Sequence, residues 1–161
     1  MTRWIIVLHV AVVLGAQATA LAQARPDFSG TWRLNQAKSS RNVVGNTPDI
    51  PFPSQIDVKQ APTEISVLST SVRQQPVGAV YKLDGSKVTL QTPEGIVETG
   101  EAKFDGANLL ITSRRSFSSP AGDVVVDFKE TWSLAGSVLT IEKTRTQSGD
   151  SSTQKAVYDK L

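Results

Sequence analysis

The chain contains no cysteine, and its one histidine (His9) and one methionine (Met1) both lie within the first ten residues. No disulfide can staple the fold, so packing of the core must stabilise it alone. Beyond residue 9 there is neither imidazole nor thiol. That excludes the commonest general base, the cysteine and serine–histidine nucleophile systems, and nearly every zinc, copper or haem site. Only Asp and Glu remain for a hard cation, and none of them has calcium-loop spacing. No Gly-x-Ser-x-Gly turn occurs. Carboxylates such as Glu98 and Glu101 fall on opposite faces of one strand and cannot converge on a substrate. The expectation is a protein without catalysis, cofactor or metal.

Charge of one sign is also lacking. The whole chain carries a net charge of +2, and removing Arg3 brings it to +1. The pI of about 9.0 reflects this near-balance plus lysines. The bases are scattered, with Arg114-Arg115 the nearest thing to a cluster, so no nucleic-acid footprint is present. Long apolar runs are missing as well. The run from Trp4 to Gly15 is too short to span a bilayer but suits the core of an export signal. Arg3 precedes it, and Ala18-Thr19-Ala20, Ala20-Leu21-Ala22 and Ala22-Gln23-Ala24 follow at peptidase spacing. The pattern predicts a signal peptide over 1–24, cut after Ala22 or Ala24. It leaves one domain over 25–161, exported to the periplasm or the medium, with no later membrane-spanning helix. An uncut anchor is the alternative. Oligomeric state is left open.

What is there instead is β patterning. Runs rich in β-branched residues are separated by short turns: Tyr81-Lys82-Leu83 leads through Asp84-Gly85 to Lys87–Gln91, and Ala102–Phe104 leads through Asp105-Gly106 to Asn108–Thr112. Asp-Gly between alternating runs signals a hairpin, because Gly accepts the positive φ of a primed turn. Ala135-Gly136-Ser137 joins Val124–Leu134 to Val138–Arg145. Ser148-Gly149-Asp150 precedes Gln154–Leu161, and Ala61-Pro62-Thr63 links Gln55–Gln60 to Glu64–Thr70. This predicts an all-β, antiparallel up-and-down barrel of eight to ten strands. Residues 36–54 carry Pro48, Pro51 and Pro53 and read as an irregular loop over the surface or a barrel end. Outward positions carry Lys, Glu, Thr and Arg without an aromatic girdle, which argues against an outer-membrane barrel.

The first run after the signal, Phe28-Ser29-Gly30-Thr31-Trp32-Arg33-Leu34, resembles the N-terminal Gly-x-Trp signature of the calycins, the lipocalin and fatty-acid-binding-protein superfamily. The end, Ala156-Val157-Tyr158-Asp159-Lys160, resembles their closing strand. The resemblance implies a lipocalin-like barrel around a small apolar or amphipathic ligand. In fatty-acid-binding proteins an Arg two places before the Tyr helps hold the ligand carboxylate. Here that place is Ala156, and Lys155 points to the other face.

Strand parity picks out the remaining candidates. Trp32, with Phe28 and Leu34, either lines a ligand cavity or plugs one barrel end. Val126, Phe128, Trp132 and Leu134 mark one face as inward, and Glu130 falls on it. A carboxylate there is costly unless paired or wet. Arg114, Arg115, Lys143 and Arg145 on the flanking strands are its possible partners. The group is either an anchor for a ligand head group or an internal ion pair. Tyr158 either donates inward to a ligand or packs. The ligand-site expectation is thus Trp32, Arg115, Phe128, Glu130, Trp132, Lys143, Arg145 and Tyr158. The alternative is a filled barrel with a structural or protein-interaction role, and an interior cavity discriminates between the two.

Overall fold

The computed structural model describes residues 25–39, 52–72, 74–92 and 96–161. The signal-like segment 1–24 and most of the proline-bearing stretch lie outside these residues. Ten strands follow one another: β1 (Gly30–Leu34), β2 (Gln55–Gln60), β3 (Glu64–Ser71), β4 (Gln74–Lys82), β5 (Val88–Leu90), β6 (Val97–Asp105), β7 (Asn108–Ser119), β8 (Gly122–Ala135), β9 (Val138–Gln147) and β10 (Asp150–Lys160). They form a single antiparallel sheet in the order β4-β3-β2-β1-β10-β9-β8-β7-β6-β5, curled into a nearly closed barrel. The all-β, up-and-down reading is what the structure shows.

Tight turns set the register. Asp105 pairs with Asn108 and Ala135 with Val138, so each of these hairpins closes through two residues. Ser148 and Gly149 have φ of 53° and 89°, the left-handed pair that a primed two-residue turn requires. This hairpin is tighter than its sequence suggests, and β10 accordingly begins at Asp150.

One expected hairpin is corrected. Asp84-Gly85 does turn the chain, with Asp84 accepting from the Ser86 amide at 2.8 Å. It does not pair the strands on either side. β4 and β5 lie at opposite ends of the sheet, and Gly85 donates instead to the Ala102 carbonyl at 3.0 Å. Turn chemistry is local, whereas partner choice is made across the whole sheet, and β5 pairs antiparallel with β6. The barrel therefore has an unpaired seam between β4 and β5.

The core fills one end. Phe28 and Trp32 are fully buried, and the Trp32 indole donates to the Phe28 carbonyl at 2.9 Å. Phe28 meets Trp132 edge-on at 6.1 Å and Phe104 at 6.3 Å. Gln60 accepts from the Phe28 amide and donates to the Pro26 carbonyl, both at 3.0 Å. These bonds hold the segment ahead of β1 across the barrel mouth.

Candidate functional site

Above that plug the barrel holds a cavity of about 660 Å³ that is partly open to solvent. Its walls are apolar over Ile56, Val67, Ile111, Ile141 and Leu90, with Phe52 and Pro53 closing one side. The end of the expected irregular loop thus forms part of the cavity wall. Tyr158 donates its hydroxyl to the Pro53 carbonyl at 3.1 Å. That aromatic packs against the wall and anchors residues 52–54.

Polar groups gather in one corner. The two-residue turn Gly136-Ser137 puts Lys143 directly across from Glu130 in the β8–β9 ladder. The Lys143 ammonium lies 2.8 Å from Glu130 Oε1, and the Trp132 indole donates to Oε2 at 2.9 Å. The two-residue β6–β7 turn likewise sets Glu98 across from Arg115. Arg115 Nη2 lies 2.7 Å from Glu98 Oε2 and Nε donates to the same oxygen at 2.8 Å. Ser113 donates to Glu98 Oε1 at 3.0 Å. Phe128 links the two pairs: its ring centre is 4.9 Å from the Lys143 nitrogen and 5.6 Å from the Arg115 guanidinium carbon. Such cation–π contacts gain strength where water is scarce.

Burial pushes the Glu130 carboxyl up, but the Lys143 charge and the hydrogen bonds from Lys143 and Trp132 outweigh it. The net effect is a pKa below the ordinary value. Burial, followed by the charge of Glu130, raises the pKa of both Tyr81 and Tyr158, and Glu98 adds to the effect on Tyr81. Both phenols stay protonated across the working range.

The expected site residues divide. Arg115, Phe128, Glu130, Trp132, Lys143 and Tyr158 all line the cavity. Trp32 does not, because it lies in the plug. Arg145 is not among the lining residues either; it sits opposite Phe128 farther along β9 and bonds Gln147. Arg114 is on the outer face, bidentate to Asp127 at 2.7 and 3.0 Å. Glu98 and Tyr81 were not anticipated. Counting back from the Asp105–Asn108 turn places Glu98 against Arg115, a signal present in the sequence. Tyr81 had no such signal, since its position depends on the seam.

There Gly100 matters. A Cβ at this position would come within 2.7 Å of the Tyr81 ring and 3.2 Å of Leu90. The bare backbone of β6 lets the tyrosine of β4 lie across the unpaired edge. Gly100→Ala is expected to lower stability by about 1–3 kcal/mol through overpacking, as read by urea unfolding. An unchanged midpoint would show that the ring is not held there.

No family model matches the chain, and no curated protein matches it in sequence. Solved structures match it by shape. A secretary abundant heat soluble (SAHS) protein from Ramazzottius varieornatus is 15% identical with a TM-score of 0.54, over 83% of this chain and 95% of its own. Lipid binding protein 8 from Caenorhabditis elegans, in its apo form, is 12% identical at 0.52, over 83% and 95%. Zebrafish ileal bile acid-binding protein, complexed with cholic acid, is 13% identical at 0.53, over 83% and 98%. The chain thus shares an up-and-down, calycin-like β-barrel fold with these three structures.

Proposed function

We propose that this chain is an exported, non-catalytic protein that binds one small apolar or amphipathic molecule inside its barrel. The observation that carries the proposal is the cavity itself. Its volume of about 660 Å³ lies within the range of small-molecule sites, roughly 300–1,000 Å³. Its walls are apolar with a few convergent polar groups, the composition such sites share. A barrel built only as a scaffold gains stability by filling this space. Two of the similar structures are named for binding a lipid or a bile acid, which supports the same reading.

The neutral fluorophore N-phenyl-1-naphthylamine tests it. Saturable uptake of about one probe per chain is expected, and Ala79→Trp, which fills the cavity from β4, should abolish uptake while leaving the β-type circular dichroism intact. Absence of saturable uptake by the wild type would overturn the proposal. The export half rests on residues 1–24. Terminal sequencing of the secreted protein should begin at Gln23 or Arg25, and an intact Met1 terminus would refute it.

A further inference from the structure

The polar corner of the cavity is balanced in charge. Among the described lining residues the acids are Glu98 and Glu130 and the bases are Arg115 and Lys143, matched one to one at 2.7 and 2.8 Å. Every carboxylate oxygen already accepts a hydrogen bond: those of Glu98 from Ser113 and Arg115, those of Glu130 from Lys143 and Trp132. Both cations also rest on the Phe128 ring.

A carboxylate entering this corner has two options, both costly. It can displace Glu98 or Glu130 and strand that side chain, largely buried, without its partner, or it can sit as a third negative charge beside two others. An ammonium meets the mirror image. An uncharged head group avoids both costs and needs only donors and acceptors. Those are present. Tyr81 lines the same cavity with its ring against Gly100, stays protonated because of burial and the charges of Glu130 and Glu98, and its hydroxyl makes no hydrogen bond to any described residue. Arg115 uses only Nε and Nη2 on Glu98, and Lys143 uses one of its three donors on Glu130.

We infer that the cavity selects amphiphiles whose head group is uncharged and hydrogen-bonding, an alcohol or a primary amide, over acids and amines carrying the same tail. The inference rests on the binding function proposed above. It assigns Tyr81 as the head-group donor and the two ion pairs as the device that rejects charge. Such rejection works through unpaired charge in the wrong complex more than through extra contacts in the right one.

The test is displacement of bound N-phenyl-1-naphthylamine at pH 7 by four ligands with one tail: dodecan-1-ol, dodecanamide, dodecanoate and dodecylammonium. The alcohol and amide should displace the probe at concentrations at least about tenfold lower than either ion. Dodecanoate or dodecylammonium matching the alcohol would overturn the inference while leaving the binding function intact. So would failure of all four to displace a bound probe. Failure of the probe itself to bind would remove the binding function and the inference together. Two variants probe the cause. Glu98→Gln frees Arg115 and should improve dodecanoate relative to dodecanol by about tenfold. Tyr81→Phe keeps the ring against Gly100 and should weaken dodecanol several-fold with dodecanoate unchanged. An unaltered ratio in both would overturn the inference. Should Glu98→Gln fail to fold, the wild-type panel and Tyr81→Phe decide.

Discussion

Trp32→Ala lowers the free energy of unfolding by about 3–5 kcal/mol, the range for deleting a large aromatic from a packed core. The side chain is fully buried, and its indole nitrogen satisfies the Phe28 carbonyl at 2.9 Å. Its loss opens a void beneath Phe28 and leaves that carbonyl without its donor. Phe28 in turn supports Phe104 and Trp132, so the plug loosens as a unit. Against a total stability of about 5–15 kcal/mol, this removes a large fraction. The milder Trp32→Phe separates packing from binding. It should cost about 1–3 kcal/mol, since it gives up the hydrogen bond and part of the ring. Affinity for N-phenyl-1-naphthylamine should nevertheless stay within about twofold, because Trp32 lies outside the cavity. A collapse of probe affinity in a folded Trp32→Phe protein would place the tryptophan in the ligand site after all.

Glu130→Gln is expected to cost about 2–4 kcal/mol at pH 7. Removing one partner from a buried pair typically costs about 3–5 kcal/mol, and an exposed pair is worth about 1 or less. The side chains of Lys143 and Glu130 retain 27% and 20% exposure toward the cavity, which sets the expectation at or just below the buried range. The pH dependence supplies the sign. The folded carboxyl titrates below its ordinary value, so its contribution is complete above the unfolded pKa and disappears as pH falls through the folded one. Wild type and Glu130→Gln should therefore differ fully at pH 7 and converge only as the pH falls below the ordinary carboxylate range. Lys143→Met should behave oppositely. Without the ammonium only the Trp132 hydrogen bond still opposes burial, the Glu130 pKa rises, and that variant gains stability relative to wild type as the pH falls. The nearby phenols, Tyr81 and Tyr158, stay protonated throughout and do not obscure the comparison. Urea unfolding across pH 3–8 reads both curves. A Glu130→Gln curve parallel to wild type would show that the pair does not stabilise the fold.

Much of this architecture is local and therefore legible in one dimension. Strand parity has a period of two, so Val126, Phe128, Trp132 and Leu134 determine that Glu130 points inward. Two-residue turns transmit register along a whole hairpin. Counting from Gly136-Ser137 selects Lys143 over Arg145 as the partner of Glu130, and counting from Gly106-Ala107 pairs Glu98 with Arg115. Both choices are contained in the sequence, although only the list of possible partners for Glu130 was read from it. The absence of cysteine, and of histidine beyond residue 9, narrowed the chemistry with no structural input. Tertiary structure decided the rest. Whether Trp32 plugs or lines depends on where β1 meets Phe28, Phe104 and Trp132 at the closed end. Asp84-Gly85 turns the chain but cannot specify that β5 leaves β4 for β6, because ladder choice compares strands far apart in sequence. The meeting of Tyr81 with Gly100 follows only from that choice, since it exists across a seam between strands that form no ladder with each other. A cavity, too, is a property of closure: side-chain volumes are written in the sequence, but the space they leave unfilled is set by the curvature of the whole sheet.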